Sequence, residues 1–154
     1  MAVDAATGVV RWKSHTLPDQ GAGGDIFSGA SVWDREPYQL PDGQTIAYSS
    51  FGALDVATGE IVWQVPEPHG GLAVGPATTA NGVVYYGSLN GYMYALDAED
   101  GEVLWEYQGA GASNAGPAIV DGKLYWGNGY ERLGAASTTF YSFGLPATAT
   151  GTSP

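Results

Sequence analysis

Residues 53–63 read ALDVATGEIVW, and the same frame occurs twice more, as AVDAATGVVRW over 2–12 and as ALDAEDGEVLW over 95–105. A phrase spelled three times in 154 residues points to one structural unit used repeatedly, so the period of the chain is read first. Trp12, Trp63 and Trp105 lie 51 and 42 residues apart. A second marker, Gly-Pro, recurs at Gly75-Pro76 and Gly116-Pro117, 41 residues apart.

A period near 42 is the length of a four-stranded propeller blade. The stretch 75–108 spells such a unit in full. GPATTA is a first short strand, Asn81-Gly82 a hairpin turn, VVYYGS a second strand and LNG a turn. YMYALDA is then a third strand, EDG a turn and EVLWEYQ a fourth. The fold class read from this pattern is all-β: a partial β-propeller of about three four-stranded antiparallel blades.

Each position of the phrase has a mechanical reading. Asp55 and Thr58 are residues that hydrogen-bond the backbone of a turn, and Gly59 supplies a positive φ. The tryptophan four residues later stands on the fourth strand and packs against the adjacent blade, worth roughly 3 kcal/mol by the cost of truncating a buried aromatic. Ala95 stands where a larger side chain would meet the neighbouring blade. The phrase therefore holds a shape rather than performing chemistry.

Composition agrees. The chain has 24 glycines, ten Tyr, five Trp and four Phe, which favours strands and turns. Five Lys plus Arg against 16 Asp plus Glu give a formal charge of −11, a surface that repels nucleic acid and anionic lipid. With no cysteine, thiol nucleophiles, Cys-ligated zinc and CxxCH haem attachment are excluded within these residues. No run of 18 apolar residues and no apolar leader are present, so membrane insertion is not expected. HExxH, P-loop, EF-hand and GxSxG patterns are all missing from the sequence.

The frame A-x-D-x-x-T-G-x-x-x-W resembles the tryptophan-docking motif of the quinoprotein, or PQQ-type, propeller repeats. Asp4, Gly8 and Trp12 carry it first, Asp55, Gly59 and Trp63 second, and Asp97, Gly101 and Trp105 third, with Asp100 in the threonine's place. From Gly116, GPAIVDGKLYWGNGYERLGAASTTFYSFGLP resembles the closing blade of polyvinyl-alcohol-dehydrogenase-like quinoproteins. The resemblance covers residues 2–145. It implies an eight-bladed parent that holds pyrroloquinoline quinone with a calcium ion on its axis and oxidises alcohols in the periplasm or outside the cell. The alternative it leaves open is a non-catalytic propeller of the same repeat that binds proteins as a scaffold.

Only about three blades are expected here: a stub over 2–14, one blade over 25–65, another over 75–108, and three strands over 116–145. Residues 1–146 are taken as the repeat domain and 147–154 as a frayed tail. The expected reading is the C-terminal part of a larger propeller, inactive alone, whose partners are the remaining blades or a second copy. Within the blade 25–65 the second strand is expected at QTIAYSS, with only FG separating it from the docking phrase, and DREPYQLPDG lengthens the first turn.

Propeller function lies on the loops that join a fourth strand to the next first strand, here 13–29, 66–74 and 109–115, with the loop after Asn128 on the same side. These loops hold His15, His69, Asp19, Asp25, Asn114, Asn128, Tyr130, Glu131 and Arg132. By the resemblance, Asp25 is the candidate catalytic base, and Asn114, Asn128, Tyr130 and Arg132 are candidate contacts to the quinone. The metal ligands are not assigned. Asp25, His69 and the two asparagines also read as ordinary turn and loop residues.

Overall fold

The computed structural model describes residues 2–12 and 36–145. Over these the chain consists of strands and turns with no helix, and each strand pairing is antiparallel. Strands β1 (Ala2–Val3) and β2 (Val10–Trp12) form one hairpin. Next come the pairs β3 (Tyr38–Gln39) with β4 (Thr45–Ile46), and β5 (Ser50–Leu54) with β6 (Ile61–Pro66). Strands β7 (Thr78–Ala80), β8 (Val83–Gly87), β9 (Tyr92–Asp97) and β10 (Val103–Gln108) make a four-stranded meander in sheet order β10-β9-β8-β7. A three-stranded sheet of β11 (Ala118–Val120), β12 (Lys123–Gly127) and β13 (Phe140–Gly144) follows.

Period-two alternation decides what each sheet buries. Val84 pairs with Leu96 and Tyr86 with Tyr94, so all four side chains share one face of the meander. That face packs on Phe51 and Trp63 of the β5–β6 pair to form the main core. The Phe51 ring stacks on Tyr86 at 4.6 Å between centroids. On the opposite face, Trp105 and Tyr107 of β10 meet Phe143 and Tyr141 of β13 edge to face, with centroids 5.0 Å and 5.3 Å apart. Such rings add about 0.5–1.5 kcal/mol per pair beyond their buried area.

The three copies of the repeated phrase fold into one turn. Asp55 Oδ1 accepts hydrogen bonds from the amides of Ala57 and Thr58, at 2.9 and 2.8 Å, and from the Thr58 hydroxyl. Asp4 does the same for Ala6 and Thr7. In the third copy, Asp97 Oδ1 accepts from Glu99 N, while Asp100 Oδ1 accepts from Glu102 N as Thr58 Oγ1 does from Glu60 N. A carboxylate oxygen thus takes over the threonine hydroxyl's acceptor role. Gly8, Gly59 and Gly101 stand at φ of 73, 79 and 80°.

The tryptophans then tie one unit to the next. Trp12 lies on Gly59 and donates its indole N–H to Val56 O at 2.8 Å. Trp63 lies on Gly101 and donates to Ala98 O at 3.0 Å. Trp105 packs instead against the ring of Phe143.

Of the stretch 25–65, expected as one blade, residues 25–35 lie outside the described residues, and the strands over 36–65 differ from expectation. Phe51 and Gly52 lie inside β5 rather than in a connection, because the Phe51 ring is drawn into the core. The expected second strand is split between Thr45–Ile46 of β4 and Ser50, the first residue of β5, and β4 and β5 are not paired with each other. Within the stretch expected as a long first turn, Tyr38–Gln39 form a strand. Buried Tyr38 fixes it: its hydroxyl lies 3.0 Å from Tyr48 O, which accepts its proton, and 2.9 Å from Ser50 Oγ.

Candidate functional site

The topology gathers four connections at one end of the sheets: 67–77 between β6 and β7, 88–91 between β8 and β9, 109–117 between β10 and β11, and 128–139 between β12 and β13. The phrase turns lie at the opposite end. Backbone hydrogen bonds stitch these connections together in sequence. Ser49 N donates to Gly71 O, Leu89 N to Leu72 O, Ser113 N to Ser88 O and Ala112 N to Ala135 O. Gly129 N and Tyr130 N both donate to Ala112 O, at 2.7 and 3.2 Å.

Glu67, which the sequence reading did not single out, is fully buried in the first of these connections. One of its carboxylate oxygens accepts from the amides of His69 and Gly71, and the other from Asn90 Nδ2 and the Tyr94 hydroxyl. Charge-assisted hydrogen bonds of this number offset the desolvation of a carboxylate. Burial, and then the Glu67 carboxylate, push the Tyr94 phenol far above the ordinary tyrosine range, so it stays a donor. The arrangement leaves His69 half-exposed, stacked on Tyr92 at 3.9 Å, with Nε2 3.1 Å from Glu106 Oε2. The sequence signal for Glu67 was a carboxylate in PEPHGG, followed by a histidine and two glycines whose amides can turn inward.

The four expected cofactor contacts are distributed over two touching connections. Asn114 lies against Gly75 through its backbone. Asn128 presses its amide against Gly109, with both polar atoms buried and without a hydrogen-bond partner. Asn114 Oδ1 and Ser113 Oγ are likewise buried and unpartnered. Tyr130 is half-buried and held by its backbone on Ala112, while Arg132 is exposed on the same loop. Asp25, Asp19, His15 and the tail 147–154 lie outside the described residues.

Among the described residues, no group of three or more His, Asp or Glu side chains could hold a metal ion. Glu67, the one fully buried carboxylate among the described residues, has both oxygens engaged by donors. The described part of the loop end therefore offers no cluster of carboxylates to a calcium ion. Uncharged, unpartnered amides do fit the carbonyl edge of a planar quinone.

These features define an all-β repeat protein whose sheets follow one another through a repeated Asp–Gly–Trp phrase. The chain belongs to the PQQ-type repeat family described as "Outer membrane protein assembly factor BamB", whose model matches residues 47–139. It is similar to the "Lanthanide-dependent methanol dehydrogenase" of Methylacidiphilum fumariolicum, 35% identical over 83 residues, covering 54% of this chain and 13% of that protein. It is also similar to the "Polyvinylalcohol dehydrogenase" of a Pseudomonas species, 30% identical over 150 residues, covering 80% of this chain and 24% of that protein. The quinohemoprotein alcohol dehydrogenase ADHIIG of Pseudomonas putida HK5 superposes with a TM-score of 0.47 at 29% identity, over 53% of this chain and 14% of that one. The chain therefore spans 13% and 24% of the length of these two curated relatives.

Proposed function

We propose that this chain supplies about three blades of a larger quinoprotein dehydrogenase-like β-propeller and is inactive alone, that the repeated phrase is a tryptophan-docking device, and that the loop end faces the cofactor. The observation that carries the reading is the similarity to a methanol dehydrogenase and a polyvinyl alcohol dehydrogenase, the second covering 80% of this chain. Pyrroloquinoline quinone is the cofactor, and a small alcohol the substrate of the assembled protein. When bound, the quinone accepts the electrons released by alcohol oxidation. Asn114, Asn128 and Tyr130 present hydrogen-bonding groups to it, and Arg132 supplies a cation for a carboxylate. Asp25 is the proposed base for the alcohol proton. The partners are further blades of the same repeat, and the compartment is the periplasm or the cell exterior.

Equilibrium binding tests this reading. Titrating the purified chain with pyrroloquinoline quinone, with and without calcium, should give saturable absorbance changes and a raised melting temperature. A folded chain that shows neither would overturn it.

A second reading is favoured by the family match itself, whose description is that of an assembly factor. In it the propeller is a non-catalytic scaffold that binds other proteins. Quinone binding separates the two, because a scaffold has no use for the cofactor.

A further inference from the structure

The meander is complete at four strands, and its outer strand β10 pairs with β9 on one side only. No strand among the described residues takes the other side, so a row of backbone donors and acceptors lies along that edge outside any ladder. Native proteins blunt such an edge with charge, Pro or a bulge, or keep it short. The other two strands that carry the phrase tryptophan follow that rule. β2 has three residues and carries Arg11, and β6 ends at Pro66, which has no amide proton to give. β10 runs for six residues, Val103–Gln108, and the stretch 99–108 contains no Lys, Arg or Pro. Its register shift falls between Val103 and Trp105, and over 105–108 the pairing is unbroken.

The side chains along this edge say what fits it. Period two sets Trp105 and Tyr107 on the face that meets Phe143 and Tyr141. Glu106 stands on the other face, where Nε2 of His69 lies 3.1 Å from its carboxylate. Tyr107 keeps 39% of its surface exposed and Leu104 51%. Glu99, Asp100, Glu102 and Glu106 are all exposed, in a chain of formal charge −11. A second copy laying its own β10 along this edge would bring like carboxylates together, which destabilises a strand pair. A segment with Lys or Arg opposite Glu106 and apolar side chains beside Trp105 and Tyr107 complements both faces.

We propose that the outer edge of β10 is a docking site for an extended segment of another protein, in which Lys or Arg alternates with apolar residues, and that this segment adds a fifth strand to the meander. Main-chain hydrogen bonds along 105–108 hold it, and Glu106 selects its charge. The proposal rests on this edge and on neither reading of the function given above.

The probe is a short peptide alternating Lys and Val, titrated onto the full chain and followed by amide NMR and hydrogen exchange. Saturable binding is expected, with exchange at the outward amides of 105–108 slowed roughly tenfold. Affinity should fall roughly tenfold in Glu106→Lys, and fall again as salt rises. The same peptide with alternate backbone nitrogens methylated keeps its side chains but cannot extend a ladder, and it should lose binding. That comparison alters the peptide alone, so it holds even where Glu106→Lys disturbs the fold. A peptide with Glu in place of Lys should not bind. No binding of the Lys-Val peptide by a folded chain, protection confined to residues outside β10, or equal binding of the methylated peptide would overturn the docking edge. A dimer of the free chain paired through β10 would overturn the choice of partner.

Discussion

Trp63 lies on Gly101: a Cβ added to that glycine would stand 2.7 Å from the indole Cε3. The same glycine holds a φ of +80° to close the turn of the repeated phrase. One residue thus meets two demands, a left-handed backbone and a seat for the tryptophan of the preceding unit.

Substituting it should reveal both. Gly101→Ala is expected to lower stability by ~3 kcal/mol, combining the left-handed penalty for a Cβ with the cost of displacing a packed ring. Gly82 has a similar φ of 75° but nothing within 4 Å of an added Cβ, so Gly82→Ala should lose only ~1–2 kcal/mol. Urea unfolding of the two variants side by side checks the difference.

Trp63→Phe keeps much of the ring but removes the indole N–H that donates to Ala98 O. Part of the carbonyl's satisfaction and some packing area are lost, for about 1–2 kcal/mol. Trp105 makes a ring contact with Phe143 in place of the seat on a turn glycine. Trp105→Phe should therefore cost less than Trp63→Phe in the same melt.

Glu67 should be among the most sensitive polar positions. Glu67→Gln turns one oxygen into a donor facing donors, and is expected to cost on the order of 3 kcal/mol. Tyr94→Phe removes one of the four and should cost about 1.5–3 kcal/mol, as a hydrogen bond to a charged group does. A double-mutant cycle checks whether the two share that energy, as contacting residues do.

Two tyrosines set the alkaline limit. Burial raises the Tyr86 phenol to about 12 and pushes Tyr94 higher still. Below the ordinary tyrosine value of about 10 both are neutral folded or unfolded, and their contribution is fully present. As pH climbs from there toward 12 the unfolded chain ionises first, so stability falls across that window. Tyr94→Phe should flatten the fall, measured as urea midpoints at stepped pH.

The acid side reads in the opposite sense. The Arg11 guanidinium first, then Thr7 and the turn amides, hold the Asp4 carboxyl down at about 2. Its stabilisation is present above the ordinary aspartate value and is lost as pH falls through about 2. In a carboxyl NMR titration Asp4 should keep its charge to about 2 in the wild type, and titrate higher in Arg11→Ala.

Much of the meander was legible because local chemistry dictates it. Asn81-Gly82, with φ of 51 and 75°, turns the chain where the dipeptide says it must, and the alternating runs on either side set the register. The pair β3–β4 and the entry to β5 were not legible, since Phe51 and Tyr38 take their places from tertiary partners in the core. Glu67 was missed for a related reason: nothing local to PEPHGG announces that Asn90 and Tyr94, 23 and 27 residues on, will donate to it. Asn114 and Asn128 were singled out by resemblance alone, and their want of hydrogen-bond partners became visible only in three dimensions.

The seating of Trp12 on Gly59 and of Trp63 on Gly101 orders the sheets and so builds the loop end. Its most direct test is a proton NMR measurement of the Gly101 and Gly59 Hα shifts, with cross-relaxation to the indole rings of Trp63 and Trp12. Strong upfield shifts and close contacts between ring and Hα are the result predicted. Hα shifts typical of an exposed glycine, in a chain that is otherwise folded, would contradict the account.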